Sequence, residues 1–229
     1  MIRVLNRNSI KIIAVLAMIL DHVAYAFIPL TSVFYFVFRI IGRITAPIMF
    51  MGIANGYKYT SNRFRYGLRL FLFALISQVP YSLFVGNKIF VFDMYNIIFL
   101  LFIGFLLLCC IYNVKNIVFK VFGITGCILA SLFCEYSLFG ISLILMFSLF
   151  KNKKIQIIFY SVICFIYLCL KTIFDNSILV FVLQTGLFLA IPLFYLYNDK
   201  RGKYNIKYIF YVFYPVHLLL LFLIKTIVI

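Results

Sequence analysis

Lys11 and His22 stand eleven positions apart, with Asp21 beside the histidine, in an otherwise apolar stretch from Ile10 to Phe27. In an α-helix, eleven steps of about 100° return to nearly the same face, roughly 16 Å further along the axis. One helix thus carries a cation near its start and an imidazole deep in its apolar part. In hydrocarbon an imidazole and a carboxylate are costly without partners, which marks the place as functional by default. The chemistry on offer is proton transfer at His22.

Other polar residues fall inside apolar segments. Arg39 and Arg43 are four apart and share a helix face. Their segment follows the first through a short turn near Pro29 to Ser32, and a hairpin places Asp21 beside one of them at similar depth. Adjacent residues diverge by about 100°, so Asp21 is better placed to neutralise an arginine than to orient His22. Two readings of that pairing stay open: a salt bridge that fixes the hairpin, or a part in the chemistry. His217 lies near the middle of the last apolar segment, with Tyr214 three positions before it on the same face. Pro215 frees a carbonyl nearby, so either of these side chains serves that carbonyl or joins the chemistry. Glu135 and Asp93 sit at segment ends, and Glu135 is the better candidate to line an outward mouth. Asn55, Gln78 and Asn96 read as amides bridging helices.

The elements that must hold these groups are membrane helices. Of 229 residues 66% are apolar and 11% charged, against about half and a quarter in a soluble domain. Apolar windows long enough to span a bilayer recur along the chain. Nine spans are expected in a single domain over 1–229, an all-α polytopic membrane protein: about 10–29, 33–55, 66–85, 90–111, 117–134, 137–150, 155–171, 177–197 and 207–228. The sixth is short. Pro29, Pro80 and Pro192 fall near span ends, whereas Pro47 and Pro215 are internal and should kink their helices.

The cations set the orientation. With the N-terminus cytosolic, sixteen of the 21 Lys and Arg lie on the cytosolic side: Arg3, Arg7, Lys11, Lys58, Arg63, Arg65, Arg69, Lys115, Lys120, Lys151, Lys153, Lys154, Lys200, Arg201, Lys203 and Lys207. Only Lys88, Lys171 and Lys225 lie outside. That bias fits cytosolic loops and puts the C-terminus outside. The net charge of +16 is spread over short loops, which argues for lipid headgroups and a phosphate-bearing cytosolic ligand, not nucleic acid. Two basic turns, Arg63-Phe64-Arg65 with Arg69 and Lys200-Arg201 with Lys203, join Lys11 as a candidate rim for a nucleotide diphosphate, although most such charges serve topology alone. The six cysteines show no CxxC and read as small fillers. Arg3 and Arg7 before an apolar run resemble a signal peptide, but no small-residue cleavage site follows, so the segment is expected to be a retained span.

Ile10-Lys11-Ile12-Ile13-Ala14 through Met18-Ile19-Leu20-Asp21-His22 resembles the opening of the TraX family of conjugal-pilus acetylases. Arg39-Ile40-Ile41-Gly42-Arg43 with Pro47 is similar to that family's second span. In the same order follow Arg69 through Ser77-Gln78-Val79-Pro80, Glu135-Tyr136 with Gly140, Tyr197-Asn198 with Lys200-Arg201-Gly202, Lys207-Tyr208, Phe210-Tyr211 and Tyr214-Pro215-Val216-His217. The likeness covers nearly the whole chain. The cation-x10-His spacing also looks like that of the broader transmembrane acyltransferases. Two departures stand out: Leu100-Leu101 where a Thr-Leu pair is expected, and Asn55 in place of an acid.

The resemblance implies an acetyltransferase of the cell membrane that takes acetyl-CoA as donor. The acceptor would be an extracytoplasmic or membrane-associated peptide, sugar or lipid-linked group. In that reading His22 is the general base, Arg39 or Arg43 stabilises an oxyanion, and His217 and Tyr214 position or share the proton. Asp21 neutralises an arginine, and Lys11, Arg63, Arg65, Arg69, Lys200, Arg201 and Lys203 hold the CoA phosphates. No metal is expected. Two rivals use the same residues: a small-solute transporter or flippase with intramembrane Asp, Arg and His, and an assembly subunit with buried ion pairs.

Overall fold

The computed structural model describes residues 4–86, 89, 94–203 and 209–228. Among them the chain is all-helical, in the order α1 (Arg7–Phe27), α2 (Val33–Gly42), α3 (Thr45–Tyr59), α4 (Arg63–Gly86), α5 (Ile97–Asn113), α6 (Ile117–Ser131), α7 (Ser137–Leu149), α8 (Lys153–Asp175), α9 (Ile178–Gln184), a 3-10 turn (Thr185–Leu189), α10 (Ala190–Leu196) and α11 (Ile209–Val228). Five helical stretches are long and apolar enough to cross a membrane: 7–27, 33–59, 63–86, 153–175 and 178–196. Four shorter apolar helices complete the bundle. Arg3, Lys88, Asp93, Lys207 and Tyr208 lie outside the described residues.

Short polar residues start these helices. Asn6, Asn96, Asn116 and Asn152 each turn a side-chain oxygen onto the first free amides of α1, α5, α6 and α8, which satisfies donors that hydrocarbon cannot. Asn96 does more than cap. Its Nδ2 donates to the Ala74 carbonyl and to Gln78 Oε1, 2.9 and 2.8 Å away, so α4 and α5 are joined by a buried amide network. On α1, the buried alanines at 14, 17 and 24 let neighbouring backbones approach closely. Thr45 Oγ1 uses that closeness to donate to the Ala14 carbonyl at 3.0 Å.

Two expected spans are broken. The second divides at Arg43–Ile44 into α2 and α3, because Pro47 has no amide to donate to the Arg43 carbonyl four positions back. The break lets Arg43 leave the α2 axis and turn inward. The eighth divides at the 3-10 turn, where a side chain on Gly186 would collide with the Ile40 carbonyl. That close approach to α2 holds the irregular turn in place. The fourth span starts at Ile97, not near 90, with Tyr95 and Cys134 paired in an isolated bridge before it. Pro80 lies inside α4, which continues to Gly86.

The cation-rich turns gather at one end. The chain before α1 pairs with the turn after α10: Asn198 N–H donates to Leu5 O at 2.9 Å and Arg7 N–H to Lys200 O at 3.0 Å. Tyr59, the exposed last residue of α3, donates to Asp199 at 2.5 Å.

Candidate functional site

His22 on α1 and His217 on α11 meet. Nδ1 of His22 lies 2.6 Å from Nε2 of His217, and the rings are nearly parallel, 4.9 Å between centroids. The other nitrogen of His217, Nδ1, is 2.8 Å from the Phe213 carbonyl. A carbonyl only accepts, so His217 carries its proton on Nδ1. With both rings neutral, its Nε2 is a lone pair and His22 Nδ1 must supply the hydrogen between them. Nε2 of His22 is then a lone pair held in a fixed direction. Tyr214 packs edge-on to His217 at 5.8 Å, and Phe84 edge-on to His22 at 5.4 Å. The carbonyl that His217 uses is that of Phe213, not the one Pro215 leaves open at Tyr211.

Asp21 bridges both arginines. Its Oδ2 is 2.9 Å from Arg39 Nη1 and its Oδ1 3.1 Å from Arg43 Nη2. Arg43 is fully engaged, since Nη1 also meets the Tyr136 hydroxyl at 3.2 Å and Nε the Arg39 carbonyl at 3.4 Å. Tyr136 reaches it from a left-handed backbone, φ 64°, a costly conformation that aims the phenol across the turn before α7. Arg39 keeps one buried donor, Nε, without a partner among the described residues. The arrangement depends on Gly42, because a Cβ there would strike the Asp21 carboxyl. Gly42→Ala is expected to push Asp21 off the arginines and destabilise the fold by about 1–3 kcal/mol, the cost of overpacking, read as a lower melting temperature in detergent.

At the cation-rich end a cavity of about 490 Å³ is lined by Arg7, Lys11, Arg69 and Arg201, with Asn55 and Tyr197 in its wall. Of the expected phosphate-holding residues, Lys11, Arg69 and Arg201 come together there. Arg63, Arg65, Lys200 and Lys203 are exposed and do not line it; the Arg63 guanidinium instead covers the Tyr57 ring at 4.7 Å. Arg7, read from sequence as a topological charge, is a lining residue that the spacing argument missed. Asn55 donates to the Tyr197 hydroxyl at 3.3 Å. The cavity reaches Met49 and Tyr211 but His22 does not line it. Met18, buried and on the same α1 face, stands between Lys11 and His22.

Asp199 clamps the rim. It accepts from Tyr59, Tyr197 at 3.0 Å and Arg7 at 3.1 Å. Burial acts to raise its carboxyl, but these hydrogen bonds and the arginine outweigh it and hold the group below the usual carboxylate value. A depressed folded value contributes stability above the unfolded value and loses it as pH falls through the folded one. The clamp should therefore be intact at neutral pH and release only in strong acid. Proteolysis of the 197–203 turn as a function of pH checks this: cleavage should rise only below about pH 4.

A second cavity, about 720 Å³, opens among the turns at the other end of the bundle and is lined by Arg43, Glu135, Tyr136 and Gln184. Burial pushes the Glu135 carboxyl up to about 7, although Arg43 pulls the other way.

These features define a class: a multi-helix protein of membrane-spanning composition, whose buried acid–arginine cluster adjoins a histidine pair between two cavities. The chain belongs to the TraX protein family, which it matches over residues 6–225. It is also 28% identical, over 226 residues and 93% of each chain, to a probable fimbrial assembly protein, FimC of serogroup H1, from Dichelobacter nodosus. No solved structure matches it.

Proposed function

We propose that the protein is a membrane acyltransferase that carries acetyl from cytosolic acetyl-CoA to an amine or hydroxyl of an extracytoplasmic or membrane-associated acceptor. The observation that carries the reading is the chain of contacts from His22 through His217 to the Phe213 carbonyl, which leaves the lone pair on His22 Nε2. The acceptor's N–H or O–H attacks the thioester carbonyl while His22 takes the proton, and His217 shares the resulting charge across the 2.6 Å contact. The oxyanion is met by a guanidinium, and Arg39 suits this better than Arg43 because it retains an unengaged N–H. Collapse breaks the carbon–sulfur bond, and the thiolate recovers the proton from His22.

Nine membrane crossings, with the N-terminus cytosolic, put the Lys11, Arg69 and Arg201 cavity on the CoA side. That orientation rests on the distribution of loop cations, and the cell membrane is the natural location. The relative's description as a fimbrial assembly protein makes an exported fibre subunit one candidate acceptor. Purified protein in liposomes should convert labelled acetyl-CoA only when an acceptor is supplied. No turnover with any amine or hydroxyl acceptor would remove the reading.

The thioester must pass Met18, whose flexible side chain can move aside. Met18→Trp is expected to cut transfer by more than about tenfold with nucleotide affinity unchanged, read by steady-state kinetics and equilibrium binding.

A transporter is the second reading, favoured by the two cavities that flank one charged cluster. It requires solute counterflow without chemistry.

A further inference from the structure

The cavity near Glu135 has a lopsided hydrogen-bond inventory. Its cations are already committed: Arg43 to Asp21 and Tyr136, and Lys171 to Asp175 at 3.0 Å. Its acceptors are not. Gln184 is more than nine-tenths buried, and its Oε1 has no hydrogen-bond partner. The half-buried Glu135 carboxylate makes no hydrogen bond or ion pair among the described residues. A buried acceptor left without a donor is destabilising, and a ligand that brings N–H or O–H groups would complete this inventory.

The backbone gives Gln184 its position. It is the last residue of α9, immediately before the 3-10 turn, and Gly186 seats that turn against the Ile40 carbonyl of α2. A 3-10 interruption within an apolar span often marks a functional hinge or a strained segment, and here it ends α9 at the cavity wall.

We propose that this cavity is a binding chamber for a small group bearing N–H or O–H donors, with Gln184 Oε1 and the Glu135 carboxylate as its two acceptors. Naming the occupant as the acyl acceptor rests on the acyltransferase reading; the chamber itself does not. Arg43 lines the same cavity, so the occupant sits one residue pair away from Asp21 and its neighbour His22. Gln184 is a specificity-determining residue that reads a donor on the incoming group.

The test needs no acetyl-CoA. Ser142 lines the chamber, and its hydroxyl serves only its own helix, donating to Phe139 O. In full-length Ser142→Cys protein in nanodiscs, maleimide labelling of that position is followed by peptide mass spectrometry. The probes are ethanolamine and its O-methyl, N-trimethyl derivative, which keeps the charge but has neither N–H nor O–H. Ethylamine and ethanol then separate ammonium from hydroxyl recognition. Ethanolamine should slow labelling and the derivative should not. Gln184→Leu should raise the half-protecting ethanolamine concentration by about tenfold, Glu135→Gln should weaken protection, and Gln184→Glu, which still accepts, should preserve it. Equal protection by both probes, or unchanged protection in Gln184→Leu, would overturn the proposal. Protection without acetyl transfer would leave the chamber standing and remove only the acyltransferase reading.

Discussion

If the protein is the proposed acyltransferase, His22→Ala is expected to lose acetyl transfer by about 10²–10⁴-fold, the range for a positioned general base, while CoA binding is retained. The reasoning runs through the proton inventory. Phe213 O fixes the tautomer of His217, and His217 Nε2 fixes that of His22. The only basic nitrogen left in the pair is His22 Nε2. Removing the ring deletes the base and leaves the buried His217 Nε2 without its donor, a cost of about 1–3 kcal/mol, but it breaks no ion pair, so the loss of activity should far exceed the loss of folded protein. His217→Ala should lower kcat less and leave the KM for acetyl-CoA unchanged, because His22 remains but can exchange tautomers. Single-turnover transfer of labelled acetyl, with equilibrium CoA binding as the control, reads both. An assembly subunit would respond differently: its His22 variant would lose abundance and there would be no activity to lose.

Asp21→Asn has the opposite profile. Asp21 is the counter-ion of two guanidinium groups, and its side chain and theirs are 10–16% exposed. Removing one partner of a buried ionic cluster strands the others and costs about 3–5 kcal/mol. The expected result is a large drop in folded yield and melting temperature, with activity falling as protein is lost and as Arg39 loses the carboxylate that positions it. Adding Arg43→Gln should restore part of the stability, since one stranded cation is then gone. A neutral or stabilising Asp21→Asn would contradict the pairing. The two variants together separate the proton-transfer role of His22 from the arginine-holding role of Asp21, although the two are neighbours in sequence.

What the sequence discloses follows the range of the interaction. The α1–α2 hairpin was legible because a short turn fixes which residues share a depth, and Asp21 meets both arginines, not one. The shared face of Lys11 and His22 was legible from the helical period. The His22–His217 contact joins residues 195 positions apart, and no periodicity encodes which of the other helices α11 lies against. Tyr136 was visible only as part of a motif, since its left-handed backbone is what carries the phenol to Arg43. Gln184 is not legible as a site residue, because an isolated amide in an apolar run reads as a helix contact. The signal available was the polar pair Gln184-Thr185 followed by Gly186, which marks a possible interruption. The cationic turns hold fewer ligand candidates than their charge suggests for a general reason: a cation that sets topology and one that lines a cavity are identical in sequence, and although Lys200 and Arg201 are both exposed, the fold turns only Arg201 to the cavity.

The most direct measurement is a cryo-EM structure of the protein in nanodiscs with the non-hydrolysable thioether analogue of acetyl-CoA. The account predicts the phosphates at Lys11, Arg69 and Arg201, Met18 displaced, and the acyl end within hydrogen-bond reach of His22. A nucleotide bound away from that cavity, or an acyl chain that enters lipid while His22 and His217 remain sealed behind Met18, would contradict it.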